Sequence, residues 1–511
     1  MSDRLMDPRL RTPDWSAAQG SGDSKVRLQL LALVALPVAL WYFTWLLQPE
    51  RIGHPVLFVV LVLAELFNVA QAVGFWWTCS KQRVRRAVGG FDPGSTVDVL
   101  IPVYDEPLDV VAPTVDAAVR LTGGLVNVYV LDDGDSDDLA AFASRVGAHY
   151  VRRAEHTGAK AGNINHALAL TGAEFVVVLD CDHVPSEDFL NKTLPHFRTD
   201  TALVQTPQYY ANHATNPIAS AAWAQQSLFF GIIARGKDGM NSMICCGTNV
   251  VLRREALEDI GGFPEGSLTE DFELSLELHE LGWTTAYVPE VLASGLGPED
   301  MAGYVSQQQR WSRGCLSALP AIFRARLPLR QRLQYLLSSM YFLTGWTVLI
   351  YMALPVIRIT TGAQPLADTS ADAFLLHFVP YFGFALLNVA RAGSGGYTFA
   401  AFALSAASFW IHVQSSVLQL LRKPARFVVT PKQGATKRQP RTVLPALVSV
   451  VILGAAALFG LARSQSPATL NNVAFAVLHI TVLLAGAWPA LNVARAPAAV
   501  QPESDEQRVA A

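Results

Sequence analysis

Charge is what this sequence is short of: Asp, Glu, Lys and Arg make up 16% of its 511 residues, against 51% hydrophobic residues. A soluble protein of this length carries more. With a mean hydropathy of +0.28, the shortage points to a membrane protein. Cysteine is scarce as well. Cys79, Cys181, Cys245, Cys246 and Cys315 show no paired framework and no CxxC spacing, so a secreted disulfide scaffold is excluded and no zinc site is suggested. An excess of positive charge is also missing. The formal net charge is -3, and Lys and Arg gather only beside apolar stretches, which leaves no electrostatic footprint for nucleic acid. Internal repeats are absent, and the one biased segment is the alanine-rich carboxyl tail.

Long apolar runs are what the chain has instead. Stretches near 28–47, 55–78, 335–357, 373–391, 443–462 and 473–494 are each apolar for about the ~20 residues a helix needs to cross a bilayer core. The first follows a basic tail much longer than a signal peptide's and is soon followed by a second run, so it reads as a retained anchor. A seventh stretch, 397–421, is decided by the distribution of Lys and Arg. The tail before the first run holds Arg4, Arg9, Arg11, Lys25 and Arg27, the first connection holds only Arg51, and the second run returns into Lys81, Arg83, Arg85 and Arg86. The loop 359–372 has no Lys or Arg, whereas 422–441 holds Arg422, Lys423, Arg426, Lys432, Lys437, Arg438 and Arg441. Six crossings put that basic segment, both termini and the central polar block on the cytosolic side. The stretch 397–421, which carries His412, Gln414, Ser415, Ser416 and Gln419, then lies in the membrane surface.

Three units follow: 1–94 with the tail and two spans, a cytosolic unit at 95–315, and 316–511 with interface helices, four spans and the basic segment 422–441. Inside 95–315, short apolar runs alternate with amphipathic stretches: VDVLIPVY, NVYVLDD and EFVVVLDCD. This is the pattern of an open, mostly parallel α/β sheet, whose ligands bind beyond the carboxyl ends of the strands. The acidic clusters sit at those ends. One strand runs into Asp132-Asp133-Gly134 and another into Asp180-Cys181-Asp182-His183. Either cluster alone is also what an ordinary turn looks like. Two on successive strands favour hard oxygen ligands for Mg²⁺ or Mn²⁺ and a bound diphosphate.

Thr269-Glu270-Asp271 opens a stretch with Leu274, Leu278 and Leu281 at helical spacing and Gly282 at its end. Acids in a first turn complement the helix dipole; a carboxylate fixed there can also take a proton from an acceptor hydroxyl. In Gln307-Gln308-Gln309-Arg310-Trp311, residues 307, 310 and 311 share one helix face. Arg and Trp beside a membrane commonly anchor an interface, but together they also suit a leaving diphosphate and a sugar ring.

The ordered set Asp132-Asp133-Gly134, Asp180-Cys181-Asp182, Thr269-Glu270-Asp271 and Gln307-Gln308-Gln309-Arg310-Trp311 resembles the D, DxD, TED, QxxRW series of processive family 2 glycosyltransferases. Phe427-Val428-Val429-Thr430-Pro431-Lys432 resembles the FxVTxK gating loop of bacterial cellulose synthase catalytic subunits. IPVYDEP, Lys160-Ala161-Gly162-Asn163, VQTPQ and Cys246-Gly247-Thr248 add to the likeness, which runs over roughly 28–495. The resemblance implies a GT-A-type sheet inserted in a transmembrane bundle, with an interface helix before the gating loop. It implies a processive, inverting, UDP-sugar-dependent hexosyltransferase that polymerises a β-glycan, glucose from UDP-glucose being the first expectation, and passes it outward.

The resemblance also implies roles: Tyr104, Asp132, Lys160, Asp180, Arg310, Phe427, Thr430 and Lys432 around the donor; Asp180 and Asp182 for Mg²⁺ or Mn²⁺; Thr269, Glu270 and Asp271 in catalysis, Asp271 as base; Gln307, Trp311 and Cys246 at the acceptor. Membrane lipid and an outer or periplasmic partner subunit are the further expected partners. Two departures bear on the sugar. Gln308 is similar to hyaluronan and chitin-oligosaccharide synthases, where cellulose synthases usually carry Arg, and Met243-Ile244-Cys245-Cys246 replaces the usual aromatic pair before the Cys. Mixed-linkage glucan, mannan or an N-acetylglucosamine polymer are therefore alternative products, with a non-processive lipid-carrier transferase or an inactive export scaffold further off. The tail after the last span is too short for a PilZ barrel, so no direct response to cyclic di-GMP is expected.

Overall fold

A computed structural model describes residues 22–83, 85–88, 92–367, 370–392, 397–423 and 438–492. The alternating apolar runs become strands β1 (Thr96–Val103), β2 (Leu125–Asp132), β3 (His149–Arg152), β4 (Phe175–Val178), β6 (Thr201–Gln205), β8 (Val250–Arg253) and β9 (Thr284–Tyr287), with β5 (Val184–Pro185), β7 (Tyr209–Tyr210) and β10 (Ala293–Gly295) in a small second sheet. The main sheet has the order β3-β2-β1-β4-β8-β6-β9. All its pairings are parallel except those of β8 with β4 and β6. It is a mixed, mostly parallel sheet.

Both faces are covered, which is why β1 and β4 read as near-continuous apolar runs. On one face Val97, Val99 and Ile101 pack with Val111 and Val115 of the helix Leu108–Ala118 and with Leu139 and Phe142 of the helix Asp137–Val146. On the other, Leu100, Val176 and Val178 meet Ile164 of the helix Ala159–Leu170 and Leu274 and Leu278 of the helix Glu270–Glu280. The parallel register sets Val103 opposite Asp132. The strands therefore end together, and the loops leaving them converge on one edge of the sheet.

The sheet unit is fastened to the second apolar helix, Pro55–Ser80, by contacts only glycine permits. A Cβ on Gly236 would collide with the Thr78 carbonyl, and one on Gly239 with the Lys81 carbonyl. Just beyond, Arg83 and Arg85 both pair with buried Asp238, at 2.9 and 3.0 Å.

Among the described residues six stretches are long and apolar enough to cross a membrane: Gln29–Leu46, Pro55–Ser80, Leu329–Thr361, Phe399–Leu420, Pro440–Arg463 and Pro467–Leu491. The number agrees with the sequence, but the set does not. Phe399–Leu420 breaks at Ser408 into helices of 9 and 12 residues, and it touches the sheet unit at both ends. Gln225 Nε2 donates to the Ala401 carbonyl at 3.0 Å, while Gln414 and Ser415 bond Gln309 and Ser312 at 3.0 and 2.6 Å. A segment held to one body at both ends runs along that body, so we read it as an interface segment. The helix Ala371–Ala392 has 22 residues, about 33 Å at 1.5 Å per residue, which is long enough to reach across a bilayer core.

The expected span 335–357 also needs correction. Its first part belongs to the helix Leu329–Met340, and a tight turn at Tyr341–Leu343 precedes the apolar helix Thr344–Thr361. Gln331, Gln334, Tyr335 and Ser339 are buried, and Gln334 bonds Thr78 at 2.8 Å while the Tyr335 hydroxyl bonds His279 at 2.7 Å. Hydropathy averaging cannot see that this helix turns a polar face inward onto the sheet unit.

Candidate functional site

Asp132 ends β2, buried. Its carboxylate accepts the Gly134 and Ser136 amides at 2.7 and 2.8 Å and the Tyr150 hydroxyl at 2.7 Å. Gly134 has no room for a Cβ because the Tyr104 carbonyl lies against it. Tyr104, just after β1, is 53% exposed, and its amide bonds Glu106 at 2.9 Å. Next to Asp132, Asp133 forms a two-bonded pair with Arg153, both contacts 2.6 Å. The Arg153 guanidinium also donates to the carbonyls of Thr157 and Ala159, and Ala159 sits at φ +47°, a region side chains avoid. That turn aims the next residue. Lys160 Nζ donates to Asp180 Oδ1 at 2.5 Å and to the Gly247 carbonyl at 2.7 Å.

Asp180 and Asp182 leave the end of β4, and the Asp180 amide donates to Thr248 at 2.8 Å. Asp182 is buried and accepts the Leu296 amide at 3.2 Å. Oxygen and nitrogen atoms of Asp180, Asp182 and His183 lie within 4.8 Å of one another. His183 Nε2 is buried and has no hydrogen-bond partner. Two carboxylates and an imidazole in that span fit a small divalent cation. His183 was visible in the sequence beside Asp182; with no spacing rule to single it out, it was not assigned a part.

Asp271 lies in the first turn of Glu270–Glu280, and its Oδ1 accepts the Phe272 amide at 2.8 Å. Gly247, at φ +80°, stands between Asp271 and Lys160: a Cβ there would meet Asp271 Oδ2 at 3.0 Å and Lys160 Nζ at 3.8 Å. Burial, with the neighbouring Glu270, pushes the Asp271 carboxyl up to about 7, although the Phe272 amide, Lys160 and Arg310 pull the other way. Burial works against the Lys160 ammonium, but Asp180, Glu270 and Asp271 outweigh it and raise its pKa. Thr269 is buried in close contact with Gly314, which lets the helix Met301–Ser317 approach the start of the Asp271 helix.

That approach brings Gln307, Arg310 and Trp311 toward the carboxylates. Arg310 is near enough to act on both Asp271 and Tyr210, and Gln307 bonds Tyr210. Trp311 is partly buried on the same helix. Cys246 is fixed from β6, its amide donating to Gln205 Oε1 at 2.8 Å. Burial raises its thiol far above the ordinary range, so it lines rather than reacts. Thus Asp132, Lys160, Asp180, Asp182, Thr269, Glu270, Asp271, Cys246 and the Arg310 helix converge, with Tyr104 at the mouth. Phe427, Thr430 and Lys432 lie outside the described residues. The sequence pattern passed over the Asp133–Arg153 pair and Gln205, whose roles depend on partners far away along the chain.

Residues 175–391 match the family model described as Glycosyl transferase family group 2. The chain is 32% identical over 475 residues to "Cellulose synthase 1 catalytic subunit [UDP-forming]" of Komagataeibacter xylinus, covering 86% of this chain and 61% of that one. It is 34% identical over 355 residues to the "Cellulose synthase catalytic subunit [UDP-forming]" of Xanthomonas axonopodis pv. citri, covering 64% and 48%. It therefore spans less than two thirds of these relatives' length. Among solved structures, the mannosyltransferase PcManGT from Pyrobaculum calidifontis, in complex with GDP-Man and Mn²⁺, superposes with a TM-score of 0.52 at 16% identity, over 72% of this chain and 99% of that one. This likeness concerns the fold.

Proposed function

From a chain that carries a glycosyltransferase family 2 domain and is homologous over most of its length to proteins named cellulose synthase catalytic subunit, we propose a membrane-embedded, processive, inverting β-glycosyltransferase. It polymerises glucose from UDP-glucose into a cellulose-like β-glucan and passes the polymer between its own helices. The observation that carries this reading is the placement of Asp271: half-buried, with its pKa pushed up to about 7, and facing Lys160 across Gly247. A carboxyl poised near neutral pH is suited to general-base work.

In this reading Asp271 takes the proton of the acceptor hydroxyl as its oxygen bonds the anomeric carbon. The bond from that carbon to the diphosphate oxygen breaks on the opposite side, and UDP leaves with the electron pair. Arg310 meets the developing diphosphate charge. Asp132 and Tyr104 hold the nucleotide, Lys160 fixes Asp180, and Trp311, Gln307 and Cys246 support the acceptor. Asp180, Asp182 and His183 would hold Mg²⁺ or Mn²⁺, which supplies positive charge against the diphosphate. Phe427, Thr430 and Lys432 serve as a flap over bound donor. The sheet unit and both termini face the cytoplasm across the inner membrane, and an outer subunit receives the polymer.

Gln308 and Met243-Ile244-Cys245-Cys246 favour a second reading in which the product is another β-glycan. Purified protein given radiolabelled UDP-glucose, UDP-N-acetylglucosamine or GDP-mannose, with the product then digested by linkage-specific hydrolases, tests both. Incorporation of glucose into β-glucanase-sensitive polymer is expected; incorporation from another donor alone selects the second reading. Calorimetry of UDP binding with and without Mn²⁺ tests the cation site, since Asp182→Ala should remove the metal's enhancement.

A further inference from the structure

Away from the transferase site, a polar cavity of about 440 Å³ opens where the second apolar helix leaves the membrane, lined by Arg83, Arg85, Arg86, Arg198, Arg330, Asp200, Asn241 and Thr284. Five guanidinium groups come from three separate stretches of chain. Asp238 partners Arg83 and Arg85 and Asp200 lies in the wall. Among the described residues no ion pair is formed by Arg86, Arg198 or Arg330 with any carboxylate. Arg83 and Arg198 lie close enough to Arg85 to disfavour its charge, in addition to burial. The fold thus gathers like charges that repel, an arrangement stabilised by an anion.

The position specifies the kind of anion. Arg83 is three residues past the end of the helix Pro55–Ser80. Arg330 sits in the first turn of Leu329–Met340, whose polar residues are turned to the sheet unit while Leu329 and Leu333, one turn apart, are 68% and 40% exposed. Exposed leucines beside a basic cavity, at the point where a span emerges, place that cavity at headgroup depth. Guanidinium groups bind phosphate oxygens in two-pronged fashion.

We propose that this arginine cavity is a binding site for the phosphate headgroup of an anionic phospholipid in the leaflet that faces the sheet unit. The bound lipid neutralises the cluster and braces the joint between the second span, the edge strand β9 and the helix Leu329–Met340. The site is separate from the residues assigned to glycosyl transfer, so its test does not depend on that assignment.

The experiment is native mass spectrometry of the full-length protein in detergent, titrated with phosphatidylglycerol or phosphatidylcholine, for the parent and for Arg86→Gln/Arg198→Gln/Arg330→Gln. The parent should retain phosphatidylglycerol in preference to phosphatidylcholine, and the triple variant should bind phosphatidylglycerol about tenfold more weakly with phosphatidylcholine unchanged, as loss of several phosphate contacts requires. Equal phosphatidylglycerol binding by parent and variant would overturn the proposal. Inorganic phosphate at millimolar concentration separates the sources: if it displaces phosphatidylglycerol completely, the site is one for soluble phosphate and the lipid assignment fails. Should the triple variant not fold, Arg330→Lys and Arg330→Glu replace it. Retention with Lys and loss with Glu support the site, and equal affinity in both refutes it.

Discussion

The sheet unit and the helical region bury polar groups by opposite means. In the sheet unit three buried carboxylates are met by guanidinium: Asp133 by Arg153 at 2.6 Å, Asp98 by Arg254 at 2.9 Å, and Asp238 by Arg83 and Arg85; a fourth, Asp132, is held by the Gly134 and Ser136 amides and the Tyr150 hydroxyl. In the helical region the buried carboxyl among the described residues is Glu65, and its neighbours are hydroxyls, Tyr381 at 2.9 Å and Tyr42 at 3.4 Å, with the two rings stacked 4.4 Å apart. The sheet unit can bury charge because a partner cation and the ends of strands are at hand. Helices in lipid gain little from apolar contact, so they are joined by close steric approach and neutral hydrogen bonds. Gly486 against the Ala403 carbonyl and Gly345 against the Phe409 carbonyl show that approach.

Substitutions at four positions sharpen the contrast. The largest effect is expected at Asp271, a sheet-unit carboxyl whose pKa is raised by burial and by the neighbouring Glu270. Asp271→Asn should lower the transfer rate about a thousandfold or more while UDP affinity stays within about twofold, because a base acts on the acceptor and not on the nucleotide. Single-turnover kinetics with UDP calorimetry check both. In the parent the rate should rise with pH through about 7, as the carboxyl loses its proton. Stability runs the other way. A folded pKa of about 7 against an ordinary 3.8 means that between these values the native chain holds a proton the unfolded chain has released. The group's contribution to stability is therefore present at low pH and fades as pH rises. The thermal midpoint of Asp271→Asn relative to the parent should accordingly increase from about pH 5 to about pH 8.

Next, Asp133→Asn leaves Arg153 buried without its counter-charge and should cost about 3–5 kcal/mol of folded stability; denaturation of the purified protein measures it. If the loss were negligible, the Asp133–Arg153 pair would not be holding the Lys160 loop. Gly236→Val pushes a branched side chain into the Thr78 carbonyl and should cost about 1–3 kcal/mol, visible as a lower denaturation midpoint and easier proteolysis near residue 81. The smallest effect belongs to the helical region. Glu65→Gln keeps an acceptor for the tyrosine hydroxyls and should change stability by less than about 1 kcal/mol, whereas Glu65→Leu strands them and should cost about 1–3 kcal/mol. A Gln variant as damaged as the Leu variant would show that Glu65 needs its charge.

Much of the site was legible because its residues stand at strand ends and helix starts, where chain direction alone sets their placement. Asp132 and Asp180 each follow an apolar run of the length and pattern that makes a strand, and Asp271 opens a helix whose leucines fix its face. The parallel register of β1, β2 and β4 then brings them to one edge. Lys160 was legible only through the resemblance, since its reach to Asp180 depends on the left-handed turn at Gly158 and Ala159. The helical region was less legible. Hydropathy gave six apolar runs, as many as the described residues hold, but its run 335–357 merged the second half of Leu329–Met340 with the apolar helix that follows it, because apolarity is a sum over residues and carries no record of which face meets a neighbour.

Composition, strand-end acids and the spacing of apolar runs were thus determined by the sequence itself, because local hydrogen bonding and the 2.0 and 3.6 residue periods act within a few residues. Tertiary structure decided the rest. It joined Asp133 to Arg153, set Gly247 between Lys160 and Asp271, laid Phe399–Leu420 along the sheet unit, and collected five arginines in one cavity. Each depends on groups distant in the chain whose charges or surfaces meet only after the backbone has closed around them.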